Sequence, residues 1–205
     1  MMSEGPRVAV FGLGRVGLCF AACLASRGFN VVGVDVDKQK LELLEHGKVP
    51  FYEPGLGELL KTGLEAGHLT LTSSAREAVE QADISFITVG TPSSPDGSVD
   101  LSQVVSACRA IGSALAEKEG WHLVVVRSTV PPGTTGGPVR DELERASGGE
   151  CGPDFGLCMN PEFLSEGRAV RGIMGPSRII IGAVSYTHLR AHETEADLVC
   201  RLLLE

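Results

Sequence analysis

The 205-residue sequence predicts an α/β protein organised around a doubly wound parallel sheet. Three observations carry that prediction. Short β-branched runs alternate with helix-length stretches, and a glycine-rich turn joins the first run to the first helix. The composition, 43% hydrophobic with 26 glycines and only 5% aromatic, suits a chain with many tight strand-to-helix turns. The length suits one domain with a substantial core.

Arg7–Gly12 (RVAVFG) reads as a first buried strand feeding a glycine turn. Arg15–Arg27 follows as a helix closed by Gly28, and Asn30–Val36 (NVVGVDV) as the second strand, leading to a helix over Lys38–Glu45. Pro50 and Pro54 then impose an extended entry to a short helix over Gly55–Gly63. His68–Thr72 is the third strand, Ala75–Gln81 a helix and Ile84–Val89 the fourth strand. A loop with Pro92, Pro95 and Gly97 leads to a helix over Leu101–Glu117 and a fifth strand, Leu123–Arg127. Thr134–Ala146 reads as a helix, Ser147–Gly152 as a linker-like loop, Phe155–Met159 as a sixth strand and Arg178–Ile181 as a further strand.

A net charge of −8 without a Lys/Arg cluster argues against nucleic-acid binding, and no apolar run reaches the length of a membrane span. The apolar stretch from Val8 to Ala25 is broken by Gly12, Gly14, Arg15 and Gly17, so it is not read as a signal peptide. The six cysteines (19, 23, 108, 151, 158, 200) include no CxxC pair and no zinc spacing, which points to a reduced, cytoplasmic protein with no metal. Cys19 and Cys23 share a helix face and read as core. Residues 185–205 (SYTHLRAHETEADLVCRLLLE) resemble the translation of a sequencing-adapter read-through and are expected to be a non-native tail after a domain of residues 1–184. The other reading of that tail is a genuine amphipathic helix with Leu198, Val199, Leu202 and Leu203 as its stripe. His188 and His192 fall in it and are given no metal role.

Gly12, Gly14 and Gly17 form GxGxxG between a strand and a helix. The first permits a tight turn, the second lets main chain approach a pyrophosphate, and the third lets the helix pack on the sheet. The main chain at Arg15 and Val16, opening that helix, offers free N–H groups and the positive end of its dipole. Asp35 ends the second strand 18 residues after Gly17, where a carboxylate accepts ribose hydroxyls and repels a 2′-phosphate, favouring NAD over NADP. Gly90, Thr91 and Pro92 follow the fourth strand at the carboxyl edge of the sheet, and Ser128 and Thr129 follow the fifth on the same edge. Glu162 and Glu166 sit four apart, which places two carboxylates on one face of a helical turn.

Five segments in this order, GLGRVG at 12–17, PFYEPGL at 50–56, VGTPSSPDGSVDL at 89–101, RSTVPPGT at 127–134 and NPEFLSEG at 160–167, resemble the amino-terminal half of the nucleotide-sugar 6-dehydrogenases, the UDP-glucose and GDP-mannose dehydrogenase family. The resemblance covers residues 5–184. It implies a Rossmann-like fold, NAD as cofactor and a nucleotide sugar, UDP-glucose or alternatively GDP-mannose or UDP-N-acetylmannosamine, as substrate. By resemblance, Lys40 lies near the adenosine ribose, Thr91 and Ser128 face the cofactor, and Thr129 positions a water. Glu162 does acid–base work, Glu166 faces the nicotinamide and substrate, and Phe163 and Leu164 offer main chain to the sugar; a carboxylate partly shielded from water has a raised pKa suited to moving protons. The family usually has tyrosine where Arg15 stands, and Glu53 belongs to its signature without a mechanism legible from sequence.

The family's nucleophile is a cysteine in a GFGGSCLPKD-like segment, and none of the six cysteines has that setting. The central helix that builds the family's dimer is not found either. The chain is therefore expected to bind NAD without turning over a sugar, as part of an enzyme that forms a homodimer or larger assembly. A reading from another class is a free-standing NAD-binding regulatory module, for which the tail has to be native. A β-hydroxyacid dehydrogenase accounts only for GLGRVG.

Overall fold

A computed structural model describes residues 5–184; the expected tail, 185–205, and the histidines in it lie outside the described residues. Seven strands form one sheet: β1 (Val8–Phe11), β2 (Val31–Val34), β3 (Leu69–Thr72), β4 (Ile84–Ile87), β5 (His122–Val126), β6 (Phe155–Met159) and β7 (Gly182–Ala183). Their spatial order is β3-β2-β1-β4-β5-β6-β7, parallel except for the last pair. The helices are α1 (Arg15–Ser26), α2 (Lys38–Glu45), α3 (Leu56–Glu65), α4 (Ala75–Gln81), α5 (Ser102–Leu115), α6 (Arg140–Ser147) and α7 (Ala169–Met174).

Strands β1, β2, β4 and β5 are buried along their whole length, which is why they read as continuous apolar runs. Successive side chains serve opposite layers. Val8 and Val10 join one core with Leu18, Phe20 and Leu60, while Ala9 and Phe11 join the other with Val104, Ile111 and Leu143. Phe20 of α1 meets Phe86 of β4 edge to face at 4.8 Å, pinning the first helix to the sheet centre. Cys19, Cys23 and Cys108 are packing residues, and burial foremost pushes their thiols up to about 12. Local capping agrees with the sequence: Asp37 accepts from Gln39 and Lys40 amides at the start of α2, and Ser74 from the Glu77 amide at the start of α4.

Three expectations are corrected. The helix expected over Thr134–Ala146 is broken by a kink, with α6 beginning only at Arg140; Gly137 is non-helical (φ −114°, ψ −106°) and Pro138 has no N–H to continue an α ladder. The strand expected at Arg178–Ile181 is not formed. Its Ile180 carbonyl is claimed by the Asn160 side chain, and the edge strand is β7, antiparallel to β6. Glu162 and Glu166 are not on a helical turn: after Pro161 the chain is irregular, turns at Glu166 and Gly167 (φ +74°), and α7 begins only at Ala169. Among the described residues no helix is long and apolar enough to cross a membrane, and no group of His, Cys, Asp or Glu is placed to hold a metal.

Candidate functional site

Strand order reverses between β1 and β4, and a doubly wound sheet binds ligands in the crevice at the carboxyl ends flanking that reversal. A cleft of about 490 Å³ follows this edge, lined by Gly12, Gly14, Asp35, Lys40, Gly90 and Gln103 among others.

The three glycines have different reasons to be there. Gly12 adopts φ +95°, and a Cβ on it would come within 2.9 Å of Val89 Cα. A Cβ on Gly17 would overlap the Gly12 carbonyl oxygen and the Thr88 hydroxyl. Both positions are closed by the protein itself. Gly14 is not: its φ of −76° suits any residue, and a Cβ there would meet no protein atom within 4 Å. Neither backbone nor packing requires glycine, which leaves close approach of a ligand to the main chain. The start of α1 carries no side-chain cap, so its first N–H groups are left without a capping acceptor. An open glycine under an uncapped helix start fits a pyrophosphate.

Asp35 is 7% exposed and sits at the center of a donor set. Oδ2 accepts from the Leu13 amide at 2.8 Å and from Lys40 Nζ at 2.7 Å; Oδ1 accepts from the Asp37 amide at 3.0 Å. Burial pushes this carboxyl up, but the Lys40 ammonium and the two amides outweigh it and hold it below the usual carboxylate range. Asp35 is thus an anion at neutral pH. Of its roughly four acceptor positions about one remains open. One ribose hydroxyl can bond without rearrangement, and the second needs the Lys40 ammonium to swing aside. Lys40 therefore belongs to this corner rather than to a solvated helix face.

The loops after β4 and β5 are tied together. Thr91 Oγ1 donates to the Thr129 carbonyl at 2.9 Å, and Ser128 Oγ donates to the Val89 carbonyl at 2.7 Å. Ser128 is buried with its hydroxyl turned inward, whereas Thr129 and Pro92 are exposed; of these loops only Thr88, Val89 and Gly90 line the cleft itself. Thr88, which sequence reasoning missed, lies with its hydroxyl 2.9 Å from both the Phe11 and Gly12 carbonyls and holds the glycine turn. Its signal was a hydroxyl at the carboxyl end of the fourth strand, facing the glycine turn.

A second cleft of about 270 Å³ brings together Arg15, Val16, Cys19, Phe51, Glu53, Glu162, Leu164 and Glu166. Gly14 lines the first cleft and Arg15, the next residue, lines the second, so both open beside the start of α1. Glu162 is half-buried and its Oε2 accepts from the Leu164 amide at 2.5 Å, folding its carboxylate back over its own loop. Glu166 is exposed, 3.6 Å from Arg15 Nε, and the Arg15 guanidinium lies 5.2 Å over the Phe51 ring. Glu53 explains how segments so distant in sequence stay in register. Its buried carboxylate accepts from the Gly167 amide at 2.9 Å and the Val170 amide at 3.3 Å, clamping the loop that carries Glu162 and Glu166. Phe163 is exposed, while Leu164 packs against the core.

Fold and site together define a dinucleotide-binding α/β domain with a cleft at the sheet's switch point and a second, carboxylate-walled cleft on the other side of the start of α1. Comparison with known proteins agrees: residues 6–196 match the NAD binding domain of the UDP-glucose/GDP-mannose dehydrogenase family. The chain belongs to this family, and it is the family's NAD-binding domain. It is 47% identical over 176 residues to a GDP-mannose 6-dehydrogenase of Pseudomonas syringae pv. tomato, covering 86% of this chain and 40% of that protein. It is 38% identical over 196 residues to a UDP-glucose 6-dehydrogenase of Haloferax volcanii, covering 96% of this chain and 44% of that protein. A ternary complex of the GDP-mannose dehydrogenase of Pseudomonas aeruginosa superposes with a TM-score of 0.89 at 43% identity, covering 96% of this chain and 43% of the other. A UDP-glucose dehydrogenase from Pyrobaculum islandicum superposes at 0.88, also at 43% identity, with 98% and 44% covered. The chain thus spans less than half the length of these relatives.

Proposed function

We propose that this domain holds NAD against a nucleotide sugar whose C6 alcohol is oxidised to a carboxylate, the cofactor accepting the hydrides. The observation that carries the reading is that two clefts flank the start of α1, one lined by Gly14 and fitted to a dinucleotide, the other lined by Arg15 and walled by Glu162 and Glu166. Lys40 and Asp35 hold the adenosine ribose, and the start of α1 holds the pyrophosphate. Arg15 stands between that anion and Glu166. Glu162, half-shielded and adjustable on its loop, is suited to take and return a proton. The exposed Thr129 positions a water, and the main chain at Phe163 and Leu164 meets the sugar. The nucleotide sugar is GDP-mannose on the identity to relatives of that name, with UDP-glucose as the second reading because an archaeal enzyme of that name is structurally as near.

Oxidation to the acid requires a nucleophile that captures an aldehyde, and a reactive thiol has a low pKa in an electropositive setting. Cys19, Cys23 and Cys108 are the reverse. By itself, then, this chain binds NAD and does not turn over, and the complete enzyme is a homodimer or larger. Calorimetry with NAD, followed by addition of UDP-glucose or GDP-mannose under NADH absorbance, tests both halves. Binding heat without NADH is expected. Absent heat overturns the binding, and sustained NADH overturns the inactivity. We also retain residues 185–205 as a non-native tail, although the family match runs to residue 196; re-sequencing the source locus past codon 184 decides this.

A further inference from the structure

Arg127 follows β5, whose alternation turns its side chain onto the α1 layer with Leu123 and Val125. It is 6% exposed, and its guanidinium lies 4.5 Å over the Phe20 ring. Nη1 donates to Oδ1 of Asn160. Asn160 is itself fixed, since its Nδ2 donates to the Ile180 carbonyl at 2.9 Å and only its oxygen is left for the arginine. Arg127 Nε has no hydrogen-bond partner. Among the described residues no carboxylate lies within ion-pair distance of this guanidinium. Glu162, whose charge it senses, has turned one oxygen to the Leu164 amide instead.

A buried cation normally has a counter-charge, because desolvation without one is among the costliest things a fold can hold. The space beside Arg127 is a cavity of about 160 Å³, walled also by Asn160, Leu164, Ser177 and Arg178 and by no acidic residue. Arg178 reaches it from the exposed side, with its guanidinium 4.4 Å over the Phe163 ring. Two guanidinium groups, each steered by an aromatic ring, therefore border one small pocket. Such planar donor forks match the paired oxygens of an oxyanion.

We propose that Arg127 and Arg178 form an oxyanion subsite beneath the Asn160–Leu164 loop that takes a carboxylate or a phosphate group. The subsite is separate from the cleft that receives the dinucleotide, and the proposal rests on the surroundings of Arg127 rather than on the reaction. Two groups of this chemistry do belong to the reaction proposed above: the carboxylate created at C6 and the diphosphate of the nucleotide sugar. A subsite for the first would hold the acid product more tightly than the alcohol substrate.

The test is NMR observation of the arginine Nε–H signals of the whole chain, without NAD, titrated separately with inorganic phosphate and with acetate. The Arg127 Nε–H signal is expected to shift to saturation with at least one of them. Arg178→Gln, an exposed change that leaves the core intact, is expected to weaken the apparent affinity about fivefold. Saturation by phosphate alone assigns the site to phosphate, and saturation by acetate assigns it to carboxylates. If neither anion saturates the signal, or if R178Q leaves the affinity unchanged, the subsite does not exist. NAD binding heat measured on the same sample distinguishes that outcome from failure of the dinucleotide reading.

Discussion

Gly14→Ala and Gly17→Ala add the same methyl group three residues apart and should fail in opposite ways. At Gly14 the new Cβ meets no protein atom within 4 Å, and the backbone angle is one alanine adopts freely. Alanine is a poorer residue at a helix start by roughly 0.5–1 kcal/mol. The loss of unfolded-state freedom returns about 0.4–1 kcal/mol. Stability should therefore stay within about 1 kcal/mol of the parent, a melting shift of at most about 2–4 °C. On the proposed reading the methyl stands where a pyrophosphate approaches main chain, so NAD affinity should fall at least about tenfold, or ~1.4 kcal/mol. At Gly17 the methyl collides with the Gly12 carbonyl and Thr88, neither of which can retreat without breaking the turn, and overpacking of this kind costs about 1–3 kcal/mol or more. Denaturant unfolding and NAD calorimetry on the two variants separate the effects. A G14A chain that binds NAD like the parent, beside a G17A chain of unchanged stability, would refute the division of labour between the glycines.

Asp35→Asn removes the charge from a carboxylate with three protein donors, so NAD affinity should drop by about 10- to 100-fold, a charge-assisted hydrogen bond being worth about 1.5–3 kcal/mol. The handicap of NADP relative to NAD should shrink as well; calorimetry with both dinucleotides reads it, and equal NAD affinity in parent and variant counts against the ribose assignment. Glu53→Ala leaves the Gly167 and Val170 amides without acceptors, costing the loop about 1–3 kcal/mol. Amide exchange should accelerate at those two residues while the β1 and β4 amides stay protected. His122 is fully buried with Nε2 2.9 Å from Ser85 Oγ, and burial, then the Lys118 charge, pushes its pKa from 6.5 down to about 3. Because the unfolded chain takes up the proton first, this group's contribution is fully present above pH 6.5 and is lost as the pH falls toward 3, at up to about 1.4 kcal/mol per pH unit. Denaturant midpoints measured from pH 7 to acid should show that slope, and His122→Phe with Ser85→Ala should flatten it.

Much of the dinucleotide corner was legible from residues near one another in the chain. A strand buried on both faces has to read as an apolar run, a glycine turn has to follow it, and an acid has to end the next strand. The cleft facing the carboxylates was less legible because long-range contacts build it. Nothing local to Glu53 says that it accepts from amides more than a hundred residues away, and Thr88 shows its purpose only when β4 lies beside β1. Spacing suggested a helix under Glu162 and Glu166, yet the segment after Pro161 is irregular and Glu53 pins its far end at Gly167 and Val170.

What the sequence determined by itself was the parallel sheet, the order of its motifs and the glycine turn and acid that mark the proposed dinucleotide corner, since each follows from backbone conformation or periodicity within a single βαβ unit. What the tertiary structure decided was which glycines the fold itself requires and which it leaves open, how many acceptor positions Asp35 has left, and that Arg127 is buried without a carboxylate partner. Those depend on the distances at which atoms from separate units meet, and no pattern along one segment of chain encodes a distance to another.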